Sequence, residues 1–411
     1  MFADRRRFDL LRRFQLLEVK GGHSREALER AARNVVSLLS HAVQLEWLRI
    51  EEFDYLEVHK PLPRALSSLT KLRSLHLTDV DAATTRIVKA LTMSLAEISL
   101  SCYGNKAYED PSEFLAPFKD TMRKIILSHV EMLSVAGTPA PFPLVRTLHL
   151  DRCGHVDLQA LEDCFPNLRR LYLQHDEEVE DTSEIEEERF LNLARDARPW
   201  DSLSMLRGTV AGLYSLGISC SVEHLDVDTE WPVVEPDDYM RLTSLLAALC
   251  PTVLELSLNL PDLDTDKLEK SLSVTAGTLK YLRLVLHWDK ALFDPHEDLD
   301  SLLDSLPRTT LQYLQIKFHY DPDPKRPSLR PSSHLCSVVG VAYIDTFELA
   351  RSAFYIPTLR YFCLESDPMS RPRPEMFEVR EDDEGERVPV KLPWDARTNE
   401  LSQESPFPMD G

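Results

Sequence analysis

The chain has 411 residues, 43% of them hydrophobic, and a formal net charge of -21. Such an excess of carboxylates argues against nucleic acid or an anionic membrane as the main partner, because both reward clustered Lys and Arg. No apolar run approaches the eighteen or so residues a membrane span needs, and seven scattered cysteines without a C-x-x-C pair fit reduced thiols inside a cell, in cytoplasm or nucleus.

Residues 1–13 form a basic N-terminal segment, with Arg5, Arg6 and Arg7 and no hydrophobic signal run. A Leu-x-x-Leu-x-Leu submotif then recurs, beginning with Phe14-Leu17-Val19 as a first copy. Further copies are Leu45-Leu48-Ile50, Leu72-Leu75-Leu77, Leu95-Ile98-Leu100, Met122-Ile125-Leu127, Val145-Leu148-Leu150 and Leu168-Leu171-Leu173. Val222-Leu225-Val227, Val253-Leu256-Leu258, Leu279-Leu282-Leu284, Leu311-Leu314-Ile316 and Leu359-Phe362-Leu364 follow. Most copies start 23 to 32 residues apart, with two longer gaps of 54 and 48 that each leave room for a degenerate copy or an insertion.

Between triplets the apolar period lengthens. Residues 24–41 place Leu28, Ala31, Ala32, Val35, Leu38 and Leu39 on one helical stripe, with Ser24 as N-cap. Prolines 166, 251 and 307 stop helices just before the next strand. Leu213-Leu216-Ile218 lies too near Val222 to be another strand and reads as the helix before it. The expected fold is α/β: a leucine-rich-repeat solenoid, a horseshoe of parallel short strands and helices with irregular repeats, spanning 14–365 as one domain.

Two stretches interrupt the pattern. Residues 176–188 hold nine acidic residues in thirteen and read as a solvated insertion. Residues 321–333, with four prolines, read as a loop. From 366 to 411 the chain carries seven prolines, an acidic run and no triplet, so a disordered tail is expected.

Enzyme chemistry finds little support. Phosphate-binding glycine loops and H-E-x-x-H are absent, so no cofactor and no metal is expected. Asp262-x-Asp264-x-Asp266 opens as a calcium loop does, but Lys267 stands where that loop needs Gly and Ser273 where it needs Glu. The loop pairs His287/Asp289 and His296/Glu297 read as solvated charges. Cys153, three residues after Leu150, suits a repeat-turn hydrogen bond, and Cys164 a core-facing thiol. Ser183, with Glu186 three residues on, is a candidate for phosphorylation and equally an ordinary solvated serine.

Strand alternation turns the residues between the leucines to the opposite, concave face. Trp47, Arg49, His76, His149, Arg170 and Tyr172 form one candidate binding patch there; Tyr281, Arg283, Tyr313 and Tyr361 form another. Aromatic and Arg side chains anchor protein interfaces. Tyrosines also stack along strands for stability alone, so both readings stay open.

The irregular triplets with Pro-ended helices, as in LVRTLHLDRCGHVDLQALEDCFPNLRRLYL and LLAALCPTVLELSLNL, resemble the leucine-rich-repeat half of fungal F-box proteins over residues 10 to 365. The resemblance implies a protein-binding module, the substrate-recognition part of a ubiquitin ligase receptor, whose F-box docks on the Skp1 adaptor of a cullin ligase. No Leu-Pro-x-Glu opening precedes the first repeat, so Skp1 and cullin are expected partners only if an F-box lies upstream. The alternatives are a free-standing repeat scaffold unrelated to ubiquitination and a GTPase activator of the Ran-activating kind.

Overall fold

A computed structural model describes residues 10–16, 25–51, 61–80, 82–102, 114–129, 141–153, 156–174, 182–194, 200–227, 236–259, 263–288, 295–306, 310–320, 346–365 and 375–393. The chain folds as two compact units, Met1–Trp200 with Ser215–Gly217, and Asp201–Tyr214 with Ile218–Gly411. Sequence alone suggests one repeat domain over 14–365; packing divides it near Trp200. Each unit is a stack of strand-and-helix repeats, the α/β leucine-rich-repeat plan expected from the triplets.

In the first unit, β1 (Arg13–Leu16), β2 (Trp47–Ile50), β3 (Ser74–Val80), β4 (Glu97–Cys102), β5 (Lys124–Ser128), β6 (Thr147–Asp151) and β7 (Arg170–Gln174) pair in chain order, all parallel. Their triplets align as ladders. Leu48, Leu75, Ile98, Ile125, Leu148 and Leu171 stand in one row, each fully removed from water. Burying such a side chain is worth about 1.5–3 kcal/mol, so the rows supply the main cohesion. Helices α1 (Arg25–Leu39), α2 (Leu62–Ser67), α3 (Ala82–Lys89), α4 (Leu158–Cys164) and α5 (Thr182–Leu193) lie between strands in the chain. Asp157 caps α4 by accepting the backbone N–H groups of Gln159 and Ala160.

Leaving the strands requires a sharp turn. Asp79, His129 and Arg152, each two residues past its third leucine, adopt positive φ of 56°, 57° and 48°. This costs non-glycine residues energy, offset by bonds to the next repeat: His129 N–H donates to Asp151 O, and Arg152 N–H to Gln174 O. Cys153 Sγ lies 3.7 Å from Leu127 O and 3.5 Å from Asp151 O, the turn bond expected of it. Cys164 is in the core.

In the second unit, β8 (Ser202–Gly208), β9 (Ser221–Val227), β10 (Val253–Asn259), β11 (Tyr281–Trp288), β12 (Tyr313–Tyr320) and β13 (Tyr361–Glu365) are parallel, and β14 (Glu375–Glu381) and β15 (Arg387–Lys391) add antiparallel. Helices α6 (Val210–Leu216, with Ser215 and Leu216 counted in the first unit), α7 (Pro236–Leu249), α8 (Thr265–Ser273), α9 (Pro295–Asp304) and α10 (Thr346–Ala353) intervene. Leu213 and Leu216 are core residues of α6, the helix expected before Val222. β8 is the degenerate copy in the first long gap: Leu203 and Leu206 pair with Val222 and Leu225, while Gly208 takes the third apolar position opposite Val227.

Four expectations are corrected. The first repeat is Leu11-Phe14-Leu16 rather than Phe14-Leu17-Val19, because Phe14 and Leu16 pair with Leu48 and Ile50. In β10 Leu254 and Leu256 take the triplet positions, because they pair with Leu282 and Leu284; Val253 therefore joins the opposite face. The acidic stretch 176–188 is helical from Thr182 onward, continuing to Leu193, since Ile185 and Asn192 bury against the unit. The disordered tail expected from 366 to 411 fails over 375–393, where β14 buries Met376 and Phe377. The Pro-rich stretch 321–333, residues 1–9, the remaining tail and acidic residues 176–181 lie outside the described residues.

β15 ends the sheet with edge protection: Pro389 sits mid-strand and Lys391 near its end. Arg387 ties the hairpin to the segment that follows α10. Its guanidinium donates to the carbonyls of Phe354 (2.9 Å), Ile356 (2.6 Å) and Leu359.

Candidate functional site

Alternation sends the residues between the leucines to the face opposite the helices, and the two units use that face differently. In the first unit it is half-exposed. Trp47, Arg49, His76, His149 and Tyr172 keep intermediate accessibility and Arg170 is exposed. Register divides these six into two clusters, on β2–β3 and on β6–β7. Three strand spacings separate β3 from β6, about 14 Å.

In the first cluster the Trp47 and His76 rings meet tilted, with centroids 5.3 Å apart. Arg49 pairs with Glu51 at 2.9 Å. His76 Nε2 lies 2.8 Å from Ser74 Oγ, whose hydroxyl donates to Glu97 at 3.2 Å, and Glu97 meets Lys124 Nζ at 3.0 Å. Burial lowers the His76 pKa; Glu97 opposes that, while Arg49 and Lys124 add to it. Burial alone would raise the Glu97 pKa, yet hydrogen bonding and charge from Lys124, with His76 and Ser74, hold it below its ordinary value.

This chain of groups is not a catalytic triad. In a triad the imidazole stands between serine and acid and takes the hydroxyl proton. Here Ser74 stands between His76 and Glu97, its hydroxyl committed to the carboxylate and buried. The arrangement holds these side chains in place.

In the second cluster His149 stacks on Tyr172, centroids 3.9 Å apart and planes 16° from parallel. Arg170 projects beside them from β7, exposed and without an ion pair among the described residues. A flat aromatic surface next to a cation suits a partner offering a planar or acidic group.

The second unit's candidate residues are divided between buried and half-exposed positions. Val253, Tyr281, Tyr313 and Tyr361 stand in one cross-strand row. Tyr313, 2% exposed, packs with Val253, Cys363 and Met376, and Tyr281, Tyr361 and Leu392 close around them. Tyr313 therefore sits in a second small core, with Tyr281 and Tyr361 half-exposed at its border. Arg283 is buried too, 3.2 Å from Glu255 Oε1 and 3.9 Å from Glu365. Gln315 donates to Glu365 at 2.9 Å and Lys317 reaches it at 3.5 Å, while Arg207 pairs with Asp226. Of the four candidates in this unit, Tyr313 and Arg283 are thus buried, while Tyr281 and Tyr361 keep intermediate accessibility. His224 in the same unit is held neutral, its pKa pushed down to about 4 by burial and then by the Arg283 charge.

The remaining candidate chemistry resolves simply. Asp264 caps α8, accepting Lys267 N–H at 3.0 Å and pairing with Lys267 Nζ at 2.9 Å. Among the described residues no group of three or more His, Cys, Asp or Glu side chains could hold a metal ion, and no helix is long and apolar enough to cross a membrane. Ser183 is exposed on α5. Asp289 and the side chains of His296 and Glu297 lie outside the described residues. Sequence reading passed over α5, where Phe190, Leu191 and Leu193 are exposed; the acidic run before them pointed to a solvated insertion.

No protein-family model matches the chain, and no curated protein matches its sequence. Among solved structures it is similar to the crystal structure of the Rad7 and Elc1 complex in yeast, at 15% identity over 76% of this chain and 78% of that one, with a TM-score of 0.37. Function therefore has to be argued from the geometry of the chain itself.

Proposed function

We propose that the chain is a protein-binding module, with no chemistry of its own, that engages a protein partner through the strand face of its first unit. The observation that carries this is the contrast between the two faces. The first presents Trp47, Arg49, His76, His149, Arg170 and Tyr172 to solvent on rigid strands, whereas in the second Tyr313 and Arg283 are buried and the half-exposed Tyr281 and Tyr361 pack around Tyr313. Strands hold such side chains at low entropic cost on binding. Arg170 and the His149–Tyr172 stack form the anchor.

The more specific proposal is that the module serves as substrate receptor of an F-box type ubiquitin ligase, working in cytoplasm or nucleus, in keeping with the resemblance of its repeats. A free-standing scaffold is the second reading, and a GTPase activator of the Ran-activating kind the third. A photo-crosslinking amino acid at His149, used in cells of the source organism, should capture a discrete protein partner, and Arg170→Glu should abolish capture. Capture that survives Arg170→Glu would place the site elsewhere. Co-purification of Skp1 with the full natural gene product supports the ligase role; partners without Skp1 favour the scaffold, and accelerated GTP hydrolysis by Ran favours the activator.

A further inference from the structure

A second surface lies along the edge where the first unit's strands begin. The residue that directly follows the first apolar residue of each triplet stands just ahead of its strand, and backbone bonds tie these residues into a row. Glu46 N–H donates to Arg12 O, Arg73 N–H to Glu46 O, Ala96 N–H to Arg73 O, Arg123 N–H to Ala96 O, Arg146 N–H to Arg123 O and Arg169 N–H to Arg146 O. Five of the seven are arginine, all five exposed, in a chain whose 68 acidic residues outnumber its 47 basic ones.

The row's own carboxylate is taken, since Glu46 lies 3.6 Å from Arg12. Glu97, at the start of β4 beside the row, pairs with Lys124 at 3.0 Å. Arg73, Arg123 and Arg146 make no ion pair among the described residues. Arg146 donates to Asn167 O at 2.7 Å, a link to the next repeat, whereas the side chains of Arg73 and Arg123 make no hydrogen bond among those residues. Repeat geometry does not demand arginine here: the corresponding row of the second unit is Glu223, Thr252, Lys280, Gln312 and Arg360. Like charges side by side on neighbouring strands are destabilising, and a bound anion relieves that repulsion.

We infer that this arginine row is a docking surface for an acidic, extended segment of a partner protein, whose carboxylates meet Arg73, Arg123 and Arg146. Neighbouring strands stand about 4.8 Å apart, so Arg73 and Arg146, three spacings from each other, are separated by about 14 Å, the reach of about four extended residues. Guanidinium groups take carboxylates bidentately. The net charge of -21 repels a large polyanion such as DNA or an anionic membrane as a whole. A short acidic segment meets mainly the local field, because salt screens charges beyond about 8 Å. Neither Arg170 nor Tyr172 belongs to the row, so the surface goes beyond the strand-face reading.

The test is fluorescence anisotropy of a labelled peptide of alternating Glu and Gly, titrated with the full chain. Saturable binding that weakens as salt rises is expected. Arg73→Gln, Arg123→Gln and Arg146→Gln together should weaken it at least tenfold with little change in melting temperature, since all three side chains are exposed. Lys280→Gln with Arg360→Gln, in the second unit's row, should leave it as in wild type. Absence of saturable binding, or as much weakening by the second-unit variant, would overturn the proposal. So would tighter binding of a single-stranded oligonucleotide through the same three arginines, which would make nucleic acid the occupant. Peptide binding that emerges only when the acidic residues of 176–181 are replaced by serine would make the chain's own acidic run the occupant and overturn it equally. These variants leave Arg170 and Tyr172 in place, so loss of peptide binding with crosslinking at His149 intact sinks this surface alone.

Discussion

The His149 imidazole lies flat on the Tyr172 ring, 3.9 Å between centroids, on neighbouring strands of the first unit. Both rings remain half-exposed, so the pair adds surface more than core. Tyr172→Ala should change stability by about 1 kcal/mol or less, the scale of a cross-strand pair. It should weaken partner binding about tenfold or more, as loss of an aromatic anchor does. Denaturant melts and a binding titration on the same preparation separate the two effects.

Tyr313 shows the opposite balance. It is buried among Val253, Cys363 and Met376 and touches solvent at only 2% of its surface. Tyr313→Ala should cost about 3–5 kcal/mol, the usual range for emptying an aromatic site, whereas a binding residue could be removed cheaply. A urea melt decides it: a midpoint unchanged from wild type would refute the internal role of Tyr313.

Arg387 gathers three carbonyls of the segment that follows α10, those of Phe354, Ile356 and Leu359. Arg387→Met keeps the aliphatic stem but leaves those acceptors without their donor, at about 1–3 kcal/mol for each one that water cannot reach. Faster hydrogen exchange in β14 and β15 should accompany the loss. Exchange as slow as in wild type would mean that strand pairing alone holds the hairpin.

Glu162 on α4 is buried, and its pKa is raised to about 7 by burial and then by Asp163, against a hydrogen bond from the Trp200 backbone. The raised value means that folding favours the protonated form. Its contribution is fully present below the ordinary value of 4.5 and is lost as pH rises through about 7. Glu162→Gln should therefore be more stable than wild type at pH 8 by about 3 kcal/mol, with the gap closing near pH 4.5. Urea melts at both pH values provide the check, and a gap independent of pH would contradict it.

Much of the fold was legible because leucine at fixed offsets has one use, a buried ladder. Rows such as Leu75, Ile98 and Ile125 pair as their spacing requires. Register failed where the pattern fits twice: in β10 Leu254, Leu256 and Leu258 alternate, so the triplet can be placed two residues late. Alternation also tells which face Tyr313 occupies but not whether anything covers that face. Its cover, Met376 and Leu392, comes from a hairpin hidden among prolines and acidic residues. The first-unit cluster was partly legible for the same reason: alternation puts Trp47, Ser74, His76 and Glu97 on one face, but the bonds by which Ser74 and Glu97 fix His76 follow only once register is known.

The central claim is that partner recognition belongs to the first unit's strand face and not to the second's. The direct measurement is the dissociation constant for the crosslinked partner with wild type, with Arg170→Glu plus Tyr172→Ala, and with Tyr281→Phe plus Tyr361→Phe, which keeps the rings that pack around Tyr313. The first pair of changes should weaken binding at least tenfold with the melting temperature moved by only a few degrees, while the second leaves binding as in wild type. Full affinity in the Arg170/Tyr172 variant, or loss confined to the tyrosine hydroxyls of the second unit, would contradict the account.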